Sequence, residues 1–289
     1  MVKIVVDSTC DLDKELIKKY NIEVLPLRIS INNEEFLDKV NVDVDYIYEK
    51  MRKGIVPKTS QVNPRDAYNI FEKLCKLNEE FIYISFSSHL SGTYNICKGI
   101  LDEFKERFKN LNMEIVDSKT GAAAIGLMAF QGAKMAEKGL DFNTILTNIY
   151  DMVEKSDYIF SISDLNWLIK GGRIGRFKGT IGGILDIKPI LKVNDGYMEV
   201  IKMVRGRKKT LKTVVDLVCE EVENFKGQTI GISHADDIET ANEIMKMIDE
   251  RIGNQKYMVT KIGSVLGTHL GIGGVGITFF KEEVTSYII

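Results

Sequence analysis

The chain opens on a run that is apolar at nearly every position, Val2-Lys3-Ile4-Val5-Val6, and breaks at Asp7-Ser8-Thr9. That is the pattern of a buried strand entering a polar turn. Residues 11–20 carry Leu12, Leu16, Ile17 and Tyr20 at helical spacing. Residues 23–31 read as a second strand, polar at alternate positions in its later half. Residues 43–53 read as a helix that starts on an aspartate suited to capping. Pro57 interrupts the chain and a polar segment follows; Pro64 then opens a helix to about Leu77, a position that tolerates proline. A strand over 81–86, a helix over 91–108, a strand over 113–116, an Ala/Gly-rich helix after Asp117 and a helix over 141–155 complete the first half. Strand and helix alternating at this spacing predict a mostly parallel sheet covered on both faces. The small residues Gly121, Ala122, Ala123, Ala124, Gly126, Ala129, Gly132 and Ala133 suit either close helix–sheet packing or room for a ligand.

Near Tyr158 the pattern changes. A strand-like run over 158–163 leads to a helical turn through Trp167, then to a glycine- and base-rich stretch over 171–183. Two strands flank Asn194-Asp195-Gly196, a hairpin signal because Asp-Gly tolerates positive φ. A helix over 208–223, a strand over 228–234, a helix over 238–251 and a strand over 257–262 follow. A Gly-rich loop and the apolar run 275–280 close the pattern. The expectation is a second α/β domain with a mixed sheet, giving domains 1–157 and 158–289. Two domains also suit 289 residues, which is long for one core.

Composition excludes several classes. Hydrophobic residues at 44% and charged residues at 28% are ordinary for a soluble globular chain. The net charge of -2 gives no overall bias toward nucleic acid or a membrane surface. No apolar run approaches the ~20 residues that span a bilayer, and the amino terminus lacks the pattern of a signal peptide. The expected location is the cytoplasm, without stable membrane insertion. The 4 cysteines are scattered, which reads as free core thiols. No His/Cys/carboxylate cluster has metal-ligand spacing, so neither a metal nor a cofactor is expected.

Hydroxyl-rich clusters stand where the first-half strands end: Asp7-Ser8-Thr9, Lys58-Thr59-Ser60-Gln61, Ser87-Ser88-His89-Leu90-Ser91-Gly92-Thr93 and Asp117-Ser118. Ligands of open parallel sheets bind at such ends. Hydroxyls and free backbone N–H groups make a neutral cradle for a carboxylate or phosphate. Each cluster alone also fits helix capping. A stand-alone hydrolase or phosphotransferase is the enzymatic alternative. Against it, His89 adjoins Ser88 in sequence, which rarely gives useful geometry, and no GxSxG elbow is present. The stretch Gly267-Thr268-His269-Leu270-Gly271-Ile272-Gly273-Gly274 matches no nucleotide-binding fingerprint.

Two basic runs lie in the second half: Lys170, Arg173, Arg176 and Lys178, then Lys202, Arg205, Arg207, Lys208, Lys209 and Lys212. Together they suggest a positive patch for an acidic or phosphate-bearing partner. Interleaved aromatics are nearly absent, which argues against nucleic acid.

Taken in order, the four hydroxyl-rich pieces with Lys170-Gly171-Gly172-Arg173-Ile174, Lys188-Pro189-Ile190-Leu191 and the Gly267–Gly276 loop span nearly the whole chain. This ordered set resembles the DegV family, whose members include the fatty-acid-binding subunits of bacterial fatty acid kinase. The resemblance implies a Rossmann-like α/β/α domain with a second α/β domain packed on it and one long-chain fatty acid buried inside. It implies a carboxylate held by Thr59, Ser60, Ser88, Ser91 and His269. It further implies presentation of that carboxylate to a separate kinase subunit, giving acyl phosphate for phospholipid synthesis. Arg173 would belong to the docking or phosphate-handling region, with Arg205 assisting. Such a protein has no catalytic residues of its own.

Overall fold

The computed structural model describes residues 1–173 and 187–288. Ile174, Arg176 and Lys178 of the basic stretch lie outside the described residues. The first strand, β1 (Lys3–Asp7), passes through a tight turn over Ser8–Cys10 to α1 (Lys14–Lys19) and β2 (Glu23–Leu25). Then come β3 (Arg28–Ile31), β4 (Glu34–Leu37), α2 (Val44–Arg52), β5 (Lys58–Ser60), α3 (Pro64–Lys76), β6 (Phe81–Ser85), α4 (Thr93–Arg107), β7 (Met113–Asp117), α5 (Ala123–Glu137) and α6 (Phe142–Lys155). The second half runs β8 (Ser156–Ser161), α7 (Asn166–Lys170), β9 (Ile187–Asn194), β10 (Tyr197–Arg205), α8 (Arg207–Val222), β11 (Thr229–His234), α9 (Ile238–Ile252), β12 (Lys256–Lys261), α10 (Ser264–Leu270) and β13 (Val275–Phe280).

The first sheet is parallel throughout, in the order β2-β1-β6-β7. The second has the order β10-β9-β8-β13-β11-β12 and is mixed, with β11 and β12 parallel and its other neighbours antiparallel. The α/β class and this pairing of a parallel with a mixed sheet follow the sequence pattern. A small antiparallel sheet, β4-β3-β5, stands beside the first.

Helix α5 lies between the two large sheets and is buried on nearly every side. Its small residues divide by position. A Cβ on Gly126 would stand 2.8 Å from the Cys10 carbonyl oxygen, so Gly126 serves close packing. Gly121 and Ala122, just before the helix, face a cavity instead. The main core runs from the first sheet across α5 to one face of the second, while α8 and α9 build a separate core on the other face.

Five elements differ from the sequence expectation, one of them being β4, over a stretch where no element was expected. Residues 23–31 form two strands in different sheets, because Pro26 cannot donate to a ladder and Leu27 N–H turns to Ser8 Oγ at 3.1 Å. The first helix starts at Lys14, since Asp11 is left-handed (φ 51) and Asp13 caps Leu16 N–H. The polar segment after Pro57 pairs as β5. The expected Gly-rich loop contains α10, which ends where Gly271 adopts φ 76.

Candidate functional site

The strand-end clusters divide into those that hold the fold and those that face a cavity. Asp7 is fully buried and accepts from Phe86 N–H at 2.8 Å, from Thr9 N–H at 3.1 Å and from the Tyr83 hydroxyl at 3.3 Å. Burial pushes its carboxyl up, and these donors oppose that. It therefore ties the end of β1 to the end of β6. Ser87 donates to the Gly196 carbonyl at 2.8 Å, and the exposed His89 ring stacks on Tyr197 with centroids 3.9 Å apart. Both residues clasp the β9–β10 hairpin. Ser88 N–H donates to Asp117 at 3.1 Å.

A cavity of about 690 Å³, part of it continuous with solvent, lies between the first sheet's loops, α10 and the inner face of the second sheet. Apolar side chains form most of its wall, among them Phe86, Phe160, Val193, Met198, Leu266 and Leu270. One end is polar. Thr59, Ser60 and Gln61 come from β5 and its exit, Ser91 from the loop after β6, Arg173 from the end of α7 and His269 from α10. Of the residues singled out in the sequence, the structure thus gathers Thr59, Ser60, Ser91, His269 and Arg173 at one end. Ser88 does not line the cavity. Arg205 stands exposed at the end of β10, an edge strand, away from the cavity.

The centre of the polar end is the contact between Thr59 Oγ1 and His269 Nε2, 2.7 Å long. Ser91 Oγ lies 2.9 Å from Thr93 Oγ1 and accepts from Thr93 N–H at 3.2 Å. Thr93 Oγ1 in turn accepts from Val62 N–H at 3.3 Å, which joins this loop to the one after β5. Arg173 donates to the carbonyls of Gly171 (2.8 Å) and Leu90 (3.4 Å). Burial, with the Arg173 charge beside it, lowers His269 to about 4, so the ring is neutral near pH 7.

His269 Nδ1 has no hydrogen-bond partner and faces Gly171, where a Cβ would come within 2.1 Å of it. An orphaned buried N–H costs more than an orphaned acceptor. The favoured tautomer therefore carries its proton on Nε2 and donates to Thr59. The Thr59 hydroxyl hydrogen is then left for a ligand. No carboxylate orients the ring, so His269 lacks the partner that a triad histidine needs. Gln61, at the polar end, stood in the Lys58–Gln61 cluster but was not among the residues expected to hold the carboxylate; its place beside Thr59 and Ser60 was the available signal.

Among the described residues no cluster of three or more His, Cys, Asp or Glu side chains could hold a metal ion, and no helix is long and apolar enough to cross a membrane.

Comparison with known proteins agrees with this architecture. A family profile described as "Uncharacterised protein, DegV family" matches residues 1–282. A DegV domain-containing protein of Clostridium perfringens is 34% identical over 279 residues, covering 96% of each chain. A stearic acid-binding protein from Eubacterium ventriosum superposes with a TM-score of 0.89 at 25% identity, over 96% of this chain and 97% of that one. DegV, a fatty acid binding protein from Bacillus subtilis, gives 0.85 at 27% identity, over 96% and 98%.

Proposed function

Because the chain belongs to the DegV family, we propose that it binds one long-chain fatty acid, with the acyl chain along the apolar wall and the carboxylate at the polar end. The observation that carries this reading is the shape of the cavity's chemistry: apolar side chains over most of its length and a neutral hydroxyl–imidazole pair at one end. Burying about 15 methylenes at about 0.8 kcal/mol each supplies roughly 12 kcal/mol gross. The head group then has only to avoid burial without partners. Thr59 and Ser91 hydroxyls, with His269 behind Thr59, meet that need, and Ser60 and Arg173 stand within the same end. The solved relatives described as fatty acid-binding support the ligand class.

In the same proposal the protein is a non-catalytic carrier that presents the carboxylate to a separate fatty acid kinase. The placement of Arg173 beside the polar end supports this, since a cation there would steady a phosphoryl group. Arg205 belongs to an exposed basic face suited to docking. Native mass spectrometry of the purified protein, followed by organic extraction, tests the first part. One fatty acid per chain is expected; a protein that is empty and takes up no added fatty acid refutes it. For the second part, Arg173→Ala is expected to retain lipid but lose acyl phosphate formation when mixed with a fatty acid kinase and ATP. Unchanged acyl phosphate formation refutes that role.

A further inference from the structure

A second pocket, of about 650 Å³ including space continuous with solvent, adjoins the tight turn after β1. Its wall combines the β1–α1 connection (Asp11), the β4–α2 connection (Asp38, Lys39), β12 (Thr260) and the start of α10 (Ser264). Four of these residues are almost wholly buried: Asp11 at 3% exposure, Asp38 at 1%, Thr260 at 6% and Ser264 at 1%. Asp11 Oδ2 and Thr260 Oγ1 have no hydrogen-bond partner, while the Ser264 and Ser8 hydroxyls stand close enough to Asp38 to favour its charged form without completing its bonding or that of Ser264 Oγ. Buried polar atoms are rarely left so, and their gathering in one pocket points to an occupant rather than to chance.

The two carboxylates are close. Asp11 Oδ1 accepts from Gly263 N–H at 2.9 Å, and a Cβ on Gly263 would meet Asp11 Oδ1 at 2.9 Å and Asp38 Oδ2 at 3.8 Å. Lys39 is the internal counter-charge. Its Nζ donates to the Leu12 carbonyl at 3.0 Å, and its backbone is left-handed, with φ 63, a conformation a non-glycine residue adopts at a cost. Lys261, also on the wall, is paired with Asp45 and Asp236. At the rim Asp13 and Asp43 cap their helices, and Lys14 is exposed. Two carboxyl groups against one ammonium leave one of them without a counter-charge, and burial favours the neutral form of each. Water can satisfy orphaned hydrogen bonds but supplies no charge that would let both carboxylates stay ionised, whereas a bound cation does.

We propose that this pocket binds one alkali-metal cation, potassium or sodium, between Asp11 and Asp38, with the Thr260 and Ser264 hydroxyls as further oxygen ligands. Oxygen donors without sulfur or imidazole suit a hard cation. A single positive charge balances the pocket, whereas a divalent ion would overshoot it. The cation would join four separate segments at the start of α10, the helix that carries His269.

The test compares thermal unfolding of the purified full chain in potassium, sodium and choline chlorides at equal ionic strength. A saturable rise in Tm of roughly 3 °C is expected with potassium or sodium and not with choline. Asp38→Asn and Thr260→Val are expected to abolish the rise. Crystals of the unaltered protein soaked in thallium(I) supply a readout independent of the variants, with an anomalous peak expected between the Asp11 and Asp38 carboxylates. Equal Tm in all three chlorides overturns the proposal, as does the absence of a thallium peak at that position.

Discussion

Thr59 and His269, 210 positions apart in sequence, close a 2.7 Å contact at the polar end of the main cavity. The contact joins β5 to α10 and leaves the Thr59 hydroxyl hydrogen free. If that hydrogen meets a carboxylate, its loss costs a charge-assisted bond of about 1.5–3 kcal/mol. Thr59→Val keeps the shape and removes the hydroxyl. The expected outcome is a folded protein whose fatty acid affinity is about 10–100-fold weaker, read by titration of lipid-stripped protein. Unchanged affinity would remove Thr59 from the head-group site.

The neutrality of His269 fixes the sign of a pH effect. Its folded pKa of about 4 lies below the ordinary 6.5. Between those values the unfolded chain binds the proton and the folded chain does not, so folding stability falls as pH drops from about 6.5 to about 4. The span corresponds to about 3 kcal/mol at most. In His269→Asn this contribution disappears. Denaturant melts of both proteins at pH 7 and pH 5 should show a smaller loss in the variant, and the difference cancels other titrating groups. Equal losses would mean that the imidazole is not held neutral by its site.

Gly171 gives a purely steric test. Its φ of -76 suits any residue, yet a Cβ there would lie 2.1 Å from His269 Nδ1. Gly171→Ala must therefore displace the imidazole, at a cost of about 1–3 kcal/mol. Lipid retention is expected to fall with that of Thr59→Val. Full retention with unchanged stability would show that the ring can move without consequence.

These residues also show what the sequence made legible. Apolar runs separated by amphipathic helices foretold both large sheets, because burial sets period and length together. The split at Pro26 was harder to read, since a single proline inside an otherwise continuous pattern moved β3 into a different sheet. Helix α10 was hidden by its glycines: Gly267 lies against the Tyr48 hydroxyl, where a Cβ would come within 2.5 Å, so packing rather than loop flexibility explains it. The hydroxyl clusters were visible as a group, but local pattern could not separate Ser91, which faces the cavity, from Ser88, whose backbone turns to Asp117. Nor could it show that Asp7 and Ser8 turn inward to hold strands together.

Ala122 occupies a backbone conformation, φ 53 and ψ -140, that belongs to glycine. It is buried on the cavity wall at the entrance to α5. Such strain costs about 1–3 kcal/mol. Ala122→Gly should relieve most of it, offset by the greater freedom of glycine in the unfolded chain, about 0.5–1 kcal/mol. The lipid-free variant is expected to gain about 1 kcal/mol in denaturant unfolding. A clear loss of stability would indicate that the alanine methyl contributes more by packing than the backbone costs.

Met198 reaches the apolar wall from β10 and is 8% exposed. If the acyl chain lies along that wall, enlarging this side chain removes space from the tail and not from the carboxylate. Met198→Trp should therefore leave the head-group contacts intact and shift the bound lipid toward shorter chains. Each methylene that no longer fits forfeits about 0.8 kcal/mol, so two lost methylenes change the preference between acyl lengths by roughly 15-fold. Extraction and mass analysis of lipid from both proteins, purified from the same host, read the shift directly. An identical lipid profile in the folded variant would place the acyl chain elsewhere in the cavity, whereas complete loss of lipid at every chain length would mean that Met198 lies nearer the carboxylate than the apolar wall suggests.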